Sequence, residues 1–400
     1  MPSSLAREDV AVIANRLDDY TIAYCDNEEN FRLLRDEWNA LLDRAVHKSV
    51  FLKHQWMYLW WIMHGSRRFG ARLYILTVRD RERRLVGVLP LYRESWGLGP
   101  FGLRVLRFLG SDEEAAEYLD AIVDRTQPQR VVETLLAGLE SLRAEYEALY
   151  LTDMSEEALS LSLLPEWSKK LGGRSWLLPW MVCPYIKIAG DYVDYVQSLS
   201  ANHRYNLRRL TRRLSEQYTI LVDVAIEPQA VQESIEILFV LHRKRWSEKQ
   251  GESKFDNRLS WEFHRRLAEV LAQDGAVRLY TLRCNDRYVA ALYGFLYDNR
   301  LYYYQAGFDP EFNKNSVGLI LMGKILDLCH QHQYQEFDFL RGQEAYKLNW
   351  AKQTRQTMAC IVALSPAAKL YFHGQNFYRH LKARIRVLIS RTSLWRWFLA

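Results

Sequence analysis

Cysteine is scarce and scattered in this 400-residue sequence. The five cysteines, at positions 25, 183, 284, 329 and 360, form no CxxC pair and no Cys/His cluster. An odd, dispersed set of thiols argues against a disulfide framework and a zinc site, and is typical of a reducing compartment. The N-terminus carries acids early, unlike a signal peptide, and no run of about 18 apolar residues occurs. We therefore expect a cytoplasmic protein without a membrane-spanning segment.

Strong charge of one sign is also missing from most of the chain. The net charge is +6, and residues 365–400 hold seven Lys/Arg and no acid, which leaves −1 on residues 1–364. A near-neutral body argues against a DNA-binding protein. The basic segment 365–400 has apolar residues at near-helical spacing, so it is predicted to be an amphipathic tail. Such a tail either contacts an anionic membrane surface or packs against the body.

Walker loops, nucleophilic Ser or Cys motifs and metal-ligand clusters are absent, whereas one order of elements occurs twice. In each half, two helices are followed by a hairpin, a strand, a helix and a strand. The two hairpins, RLYILTVRDRERRLVGVLPLY and VRLYTLRCNDRYVAALYGFLY, resemble each other. The pattern predicts a tandem duplication of one mixed α/β unit, each a mixed central sheet flanked by helices. The alternative is two unrelated α+β domains.

The predicted units span residues 20–190 and 191–364, followed by the tail 365–400. Residues 155–189 contain three prolines and little clear periodicity, and are predicted to connect the units. Residues 118–123 are predicted to form a strand.

The string FDFLRGQEAYKLNWA, residues 337–351, concentrates polar groups after an apolar strand. A carboxylate at Asp338 is either paired and buried or lies in a cleft with a raised pKa. Arg341 can bind a phosphate or a carboxylate. A structural ion-pair network is the alternative for each residue alone, but their density within ten positions favours a site.

Asn313–Gly318 precedes a predicted helix, with Ser316 as its N-cap and exposed backbone amides beyond it. Helix N-termini bind phosphates through such amides, although an ordinary capped helix fits the same pattern. The preceding strand alternates, and we expect one half-exposed face to hold Leu301, Tyr303, Gln305 and Gly307, with the glycine allowing close backbone approach.

Residues 203–213 carry five arginines and no acid, which predicts a basic helix face for phosphates or tRNA, or a solvated surface. His242 and Trp246 lie one turn apart on the next helix. They are candidates for an acceptor cleft, with packing as the alternative.

The order of elements resembles GNAT-type N-acyltransferases, and two units in tandem look like FemAB-type transferases and the related CelD-like acetyltransferase proteins. The string 337–351 closely resembles the signature DFLRG-x-E-x-YK-x-x-W of the CelD-like branch. The resemblance implies an acyl transferase whose first unit is non-catalytic. It implies acetyl-CoA or another acyl-CoA as donor, no metal, and an amino group on a sugar or envelope-polysaccharide precursor as acceptor.

The residue patterns and the resemblance together give a set of candidate site residues, with the roles expected as follows. The catalytic residues are Asp338 as base, Tyr346 as proton donor to the leaving thiolate, Lys347 and Arg341. The donor-binding residues are Gln305, Gly307, Asn315, Ser316, Val317 and Gly318. The acceptor-binding residues are Arg204, Arg208, His242, Trp246 and Glu344.

Two alternatives to this function stay open at the level of the sequence. One is a FemAB-type transferase that takes its acyl group from aminoacyl-tRNA, because the segment before Gly318 has fewer glycines than the GNAT pattern. The other is a non-catalytic scaffold of a polysaccharide biosynthesis or export system.

Overall fold

The computed structural model describes residues 16–17, 19–97, 102–248 and 250–375. The strands are β1 (Arg16–Leu17), β2 (Tyr20–Cys25), β3 (Arg72–Arg79), β4 (Leu85–Trp96), β5 (Leu103–Phe108), β6 (Ile122–Val123), β7 (Ala148–Ser155), β8 (Arg174–Lys187), β9 (Ile220–Ala225), β10 (Val277–Cys284), β11 (Arg287–Tyr297), β12 (Arg300–Phe308), β13 (Glu336–Asp338) and β14 (Gln353–Ala363). The helices are α1 (Glu28–Leu33), α2 (Arg35–Asp43), α3 (His54–Met63), α4 (Pro128–Ser141), α5 (Leu159–Lys170), α6 (Tyr192–Ser198), α7 (Ala201–Gln217), α8 (Pro228–Glu248), α9 (Arg258–Gln273), α10 (Val317–Gln331) and α11 (Ala345–Leu348).

The strands form one sheet in the order β1-β2-β3-β4-β5-β7-β14-β8-β13-β12-β11-β10-β9, with β6 paired to β4. Two parallel pairs interrupt the antiparallel order, and each encloses one helix in sequence: β5 and β7 flank α4, and β12 and β13 flank α10. A parallel pair needs such a crossover because its strands run in the same direction. The repeated arrangement confirms the predicted duplication of a mixed α/β unit.

The last strand of each unit lies beside the other unit. The first unit ends with β8, which pairs with β13 of the second unit, and the second unit ends with β14, which pairs with β7 of the first. The two exchanged strands also pair with each other over ten residue pairs, from Gln353↔Tyr185 to Ala363↔Arg174. The units therefore share one continuous sheet. The boundaries 20–190 and 191–364 stay predictions.

Two expectations about local structure are wrong. Residues 155–189 are not an irregular connection, since they form α5 and the 14-residue strand β8. Pro179 and Pro184 lie within β8 and pair with Met358 and Thr354 of β14, whereas the pairing of β8 with β13 is confined to residues 185–187, so neither proline needs to donate to β13. Of the strand predicted over 118–123, only β6 forms; Tyr118 has φ of 57° and ends any extended run.

Apolar side chains fill both faces of the sheet. One cluster contains the fully buried Trp38, Trp56 and Trp60 and extends to helices α8 and α9 of the second unit. A second cluster lies under α7 and α10. Because the first cluster draws on both units, the units are packed together as well as hydrogen-bonded. All five cysteines are buried free thiols.

The beginning of the predicted tail packs on the body. Residues 366–375 are helical, and Ala368 and Phe372 are buried against Leu103, Val105 and Ile361. Residues 376–400, which hold most of the tail's basic side chains, lie outside the described residues, so contact with an anionic membrane stays a prediction. No helix in the described ranges is both long and apolar enough to cross a bilayer.

Candidate active site

A gap opens in the sheet of the second unit where β12 leaves β13. The parallel pairing ends at Tyr302↔Asp338, whereas β12 continues to Phe308. Opposite this point β11 pairs Tyr293 with Gln305 and Gly294 with Tyr303, so Tyr304 has no partner in that register and forms a β-bulge. A bulge bends its strand and increases the twist, which separates the end of β12 from the chain that follows β13. Strand pairing therefore stops between β12 and residues 339–350, and the space between these two segments is called the cleft below.

The bulge also changes which side chains share a face, and the predicted alternation is wrong for this reason. Leu301 and Tyr303 belong to the cluster under α10. Beyond the bulge, Gln305 and Gly307 face α8 instead: Gln305 is hydrogen-bonded to His242, and a Cβ at Gly307 would lie 2.4 Å from the backbone nitrogen of His242. The close approach that Gly307 permits is therefore that of helix α8.

Polar groups of α8 and α11 converge on the cleft. The Tyr346 hydroxyl donates to the Tyr303 hydroxyl at 3.4 Å, and 38% of Tyr346 is exposed. Burial of its ring and the nearby Tyr303 raise the pKa of Tyr346, so the hydroxyl keeps its proton at neutral pH. The Arg245 guanidinium donates to the Ala306 carbonyl at 3.2 Å and lies over the ring of Phe308. The cleft thus holds one accessible hydroxyl close to a cation.

His242 and Trp246, both predicted in the acceptor cleft, form a pair beside it. The Trp246 indole N–H lies 3.1 Å from His242 Nε2, and His242 Nδ1 lies 2.7 Å from the Ser253 hydroxyl. Burial lowers the pKa of His242 to about 4, so the ring is neutral at pH 7. With both ring nitrogens engaged, His242 supports the wall of the cleft.

Two residues of the string 337–351, Asp338 and Arg341, bind the first unit. Asp338 is fully buried; it accepts from the Tyr118 hydroxyl at 2.8 Å and from the backbone N–H of Leu340 at 2.7 Å. Arg341 donates to Glu117 at 2.7 Å and to Asp153 at 2.8 Å. These contacts are the ion-pair network that the sequence left open as the alternative.

Lys347 and Tyr346, the other two predicted catalytic residues, differ in their exposure to solvent. The Lys347 ammonium is buried, donates to the Arg341 carbonyl and pairs with Glu344 at 3.1 Å. The exposed side of α11 instead presents Tyr346. The string therefore contributes the partly exposed Tyr346, whereas Asp338, Arg341 and Lys347 hold the turn after β13 and its contact with the first unit. Catalytic roles for Asp338, Arg341 and Lys347 stay predictions.

The titration of Asp338 gives a test of this network. Burial raises the pKa of Asp338 to about 7, against roughly 3.9 for an unfolded aspartate. The folded chain therefore holds a proton that the unfolded chain has lost between about pH 4 and 7, and the free energy of unfolding falls as the pH rises through this window. Asp338→Asn should abolish this fall and gain on the order of 3 kcal/mol relative to the parent on going from pH 5 to pH 8. Urea unfolding at both pH values measures it; equal pH dependence in parent and variant would show that Asp338 ionises normally.

The segment predicted to bind the donor's phosphates, Asn313–Gly318, called the donor seat below, is only partly as expected. Pro310–Asn315 forms a 3-10 helix, and Ser316 stands at the N-cap of α10 in the left-handed conformation, with φ of 52° and no side-chain capping bond. Asn315 is turned toward Gln217 of α7, at 3.4 Å. Val317 is buried, whereas Gly318 is exposed and a Cβ there would meet only Phe308, at 3.8 Å. The open surface over the first turn of α10 is thus at Gly318.

The arginines of α7 serve more than one purpose. Arg204 donates to the carbonyls of Gln197 and Leu199 and so caps the end of α6. Arg208 is exposed, and Arg212 pairs with Glu216 at 3.6 Å. The predicted basic face therefore lacks Arg204 but keeps the exposed Arg208 and Arg212.

Residues 110–120 of the first unit were missed by the sequence analysis. Their acids and Tyr118 contact residues of the second unit more than 140 positions away. The segment has left-handed backbone at Asp112, Ala115 and Tyr118, a costly conformation that clusters at functional sites. The available signal was the acid-rich run DEEAAEYLD directly after a predicted buried strand.

A family model described as an acetyltransferase (GNAT) domain matches residues 201–348. Among solved structures, FemX matches with a TM-score of 0.59 and 11% identity, covering 84% of this chain and 97% of that chain. A conserved protein of unknown function from Bacteroides thetaiotaomicron matches with a TM-score of 0.52 and 11% identity, covering 85% of this chain and 99% of that chain. A search of curated proteins found no match.

Both structural matches are too distant in sequence to show more than a shared fold, and that fold extends over most of the chain. The family match covers 148 of the 400 residues, all in the second unit, and includes β12 and residues 339–348. The CelD-like resemblance has no support beyond the string itself. Residues 201–348 are thus similar to GNAT acetyltransferase domains, in a chain whose whole fold is similar to that of FemX.

Proposed function

We propose that this chain is an N-acyltransferase that moves an acyl group, acetyl in the simplest case, from acyl-CoA to an amino group on a sugar or envelope-polysaccharide precursor. The observation that carries the proposal is the cleft between β12 and residues 339–350, which lies inside the segment similar to GNAT domains. An extended thioester arm can lie in such a gap, beside the part of β12 that does not pair with β13. The sugar acceptor rests on the resemblance of the string 337–351 alone.

The second unit is the better candidate for catalysis. In the first unit the corresponding gap, beyond the short pairing of β5 with β7, is filled by its own chain: Leu119 pairs with Met154 of β7 and donates to the Asp153 carbonyl at 2.8 Å. We therefore assign donor binding to the second unit and a supporting role to the first.

The chemistry requires one bond to form and one to break. The acceptor amine attacks the thioester carbonyl carbon, the C–N bond forms, and the C–S bond breaks. The departing thiolate takes a proton, for which the Tyr346 hydroxyl is the accessible donor, and the amine releases one proton to solvent. Backbone amides at the start of α10 suit the donor's diphosphate, because they lie at the positive end of a 15-residue helix.

Gly318→Asp tests the donor seat. A carboxylate over the first turn of α10 should repel the diphosphate and weaken acetyl-CoA binding at least about tenfold, while the fold is kept because the position is open. Calorimetric titration of the full chain with acetyl-CoA measures it, and Gly318→Ala is the matched control. If Gly318→Asp binds acetyl-CoA as tightly as the parent, the diphosphate does not bind at the start of α10.

An aminoacyl-tRNA donor is the second candidate. The exposed Arg208 and Arg213 lie on α7, which packs on α10 through Leu207 and Gly323, and whose last residue Gln217 reaches Asn315 at the donor seat. Several arginines along a helix suit a polynucleotide backbone better than a single diphosphate. Binding of bulk tRNA with no binding of acetyl-CoA would favour this candidate, and binding of neither would favour a scaffold.

A further inference from the structure

Glu114 is a fully buried carboxylate from the first unit that lies against the second unit's cleft. Its Oε1 accepts from the Ser260 hydroxyl at 2.8 Å, and its Oε2 lies 3.0 Å from His264 Nε2 and 2.7 Å from the Lys254 ammonium. His64 Nε2 also lies 3.0 Å from Oε1, without hydrogen-bond alignment. Three of these four neighbours belong to the second unit.

The same cluster includes the bulge residue of β12. The Tyr304 hydroxyl donates to the backbone carbonyl of Glu114 at 2.7 Å and accepts from the Lys254 ammonium at 2.8 Å. The side chain of Glu114 therefore contacts Lys254 and its carbonyl contacts Tyr304, close to the point where β12 separates from β13. The backbone around Glu114 is unusual, with left-handed φ of 75° at Asp112 and 49° at Ala115, the next residue.

Lys254 is the member of the cluster that reaches solvent. It lies in the short 3-10 helix Lys254–Asp256 between α8 and α9, directly after Ser253, which contacts His242. About a fifth of its side chain, 21%, is exposed. Two of its three ammonium hydrogens are used by Glu114 and Tyr304, which leaves the third for a group in the cleft.

We propose that Glu114 is a positioning residue, supplied by the first unit, that fixes Lys254 and the bulged Tyr304 on the wall of the second unit's acyl-transfer cleft. The role in acyl transfer rests on the proposed function, but the contact of Glu114 with Lys254 and Tyr304 can be tested separately. The first unit then contributes to the reaction as well as to packing. Residues 110–120 fill the gap beside β7 in the first unit and also supply Glu114 to the cleft of the second unit.

Competitive labelling of lysines by an acetylating reagent, followed by mass spectrometry, tests the arrangement without any turnover. Burial lowers the pKa of Lys254, and the Glu114 carboxylate opposes this effect by favouring the protonated, unreactive ammonium. Glu114→Gln should therefore label Lys254 roughly tenfold faster at pH 7.5, as a fall of one pKa unit would produce. Glu113→Gln, the neighbouring and partly exposed glutamate that pairs with Arg68, should leave the rate unchanged. An unchanged rate in Glu114→Gln overturns the proposal.

Measuring turnover shows whether Glu114 positions groups for the reaction or only stabilises the fold. With acetyl-CoA as donor and glucosamine as the probe amine, Glu114→Gln should lower kcat for thiol release roughly tenfold and leave KM for acetyl-CoA unchanged. Lys254→Arg should retain more of kcat than Lys254→Met. Faster labelling with unchanged kcat would overturn the role in the cleft but leave the proposed function standing. If the parent releases no thiol, the proposed function fails for this donor and acceptor, and the labelling rate alone decides whether Glu114 holds Lys254.

Discussion

Replacing Arg341 with methionine is expected to lower the free energy of unfolding at pH 7 by about 4–5 kcal/mol. Its guanidinium is the partner of Glu117 and Asp153, whose side chains are 1% and 3% exposed. Removing one member of a buried ion pair leaves a charge that neither water nor protein compensates, which typically costs about 3–5 kcal/mol. Here two carboxylates lose their partner at once. Equilibrium urea unfolding, followed by tryptophan fluorescence and circular dichroism, measures the change.

Two further variants make the result specific for Arg341. Arg212→Met removes a charge that is 78% exposed and should change stability by less than about 0.5 kcal/mol. Glu117→Gln and Asp153→Asn, added to Arg341→Met, should restore part of the loss, because the buried groups then carry no charge. A loss below about 1 kcal/mol in Arg341→Met would mean that the two carboxylates do not depend on this arginine for their stability in the fold.

Replacing Tyr346 with phenylalanine is expected to lower kcat for acyl transfer roughly a hundredfold, within the range found for removal of a general acid. The substitution deletes one oxygen and keeps the ring that packs near Tyr303. The hydroxyl carries its proton at neutral pH, as a proton donor must, although burial raises its pKa and so makes it a weaker acid than a free tyrosine. KM for acetyl-CoA should be unchanged, since the phosphates bind at the far end of the donor.

Steady-state thiol release from acetyl-CoA measures this effect, with glucosamine as the amine. The matched control is Tyr205→Phe, an exposed tyrosine on α7 that is 63% accessible. Turnover of Tyr346→Phe within about twofold of the parent would assign Tyr346 to packing, and the proton would then come from solvent.

Much of the fold could be predicted from local pattern. The hairpins and the crossover helices have apolar residues at spacings of two and of 3.6, and these periods depend on neighbours a few positions away. The repeated order followed from that information, and the structure confirms it. The same reasoning failed for β8, because its two prolines obscure the pattern and its pairing partners β13 and β14 lie more than 140 residues further along the chain.

The candidate site divides in the same way. Composition alone marked residues 338–347, since a simple turn does not need five ionisable residues within ten positions. It did not separate Tyr346, which is accessible, from Asp338 and Lys347, which are buried. Burial depends on what covers a residue, and the cover over Asp338 comes from Tyr118, 220 positions earlier in the chain.

By itself, therefore, the sequence determined the class of the fold and its duplication and gave a candidate site, because these follow from short-range periodicity and local composition. Tertiary structure decided three further things: the exchange of β8 and β14, the bulge at Tyr304, and the reach of Glu114 into the second unit. Each is set by packing and hydrogen bonding between segments far apart in the chain, for which no single stretch of sequence carries the signal.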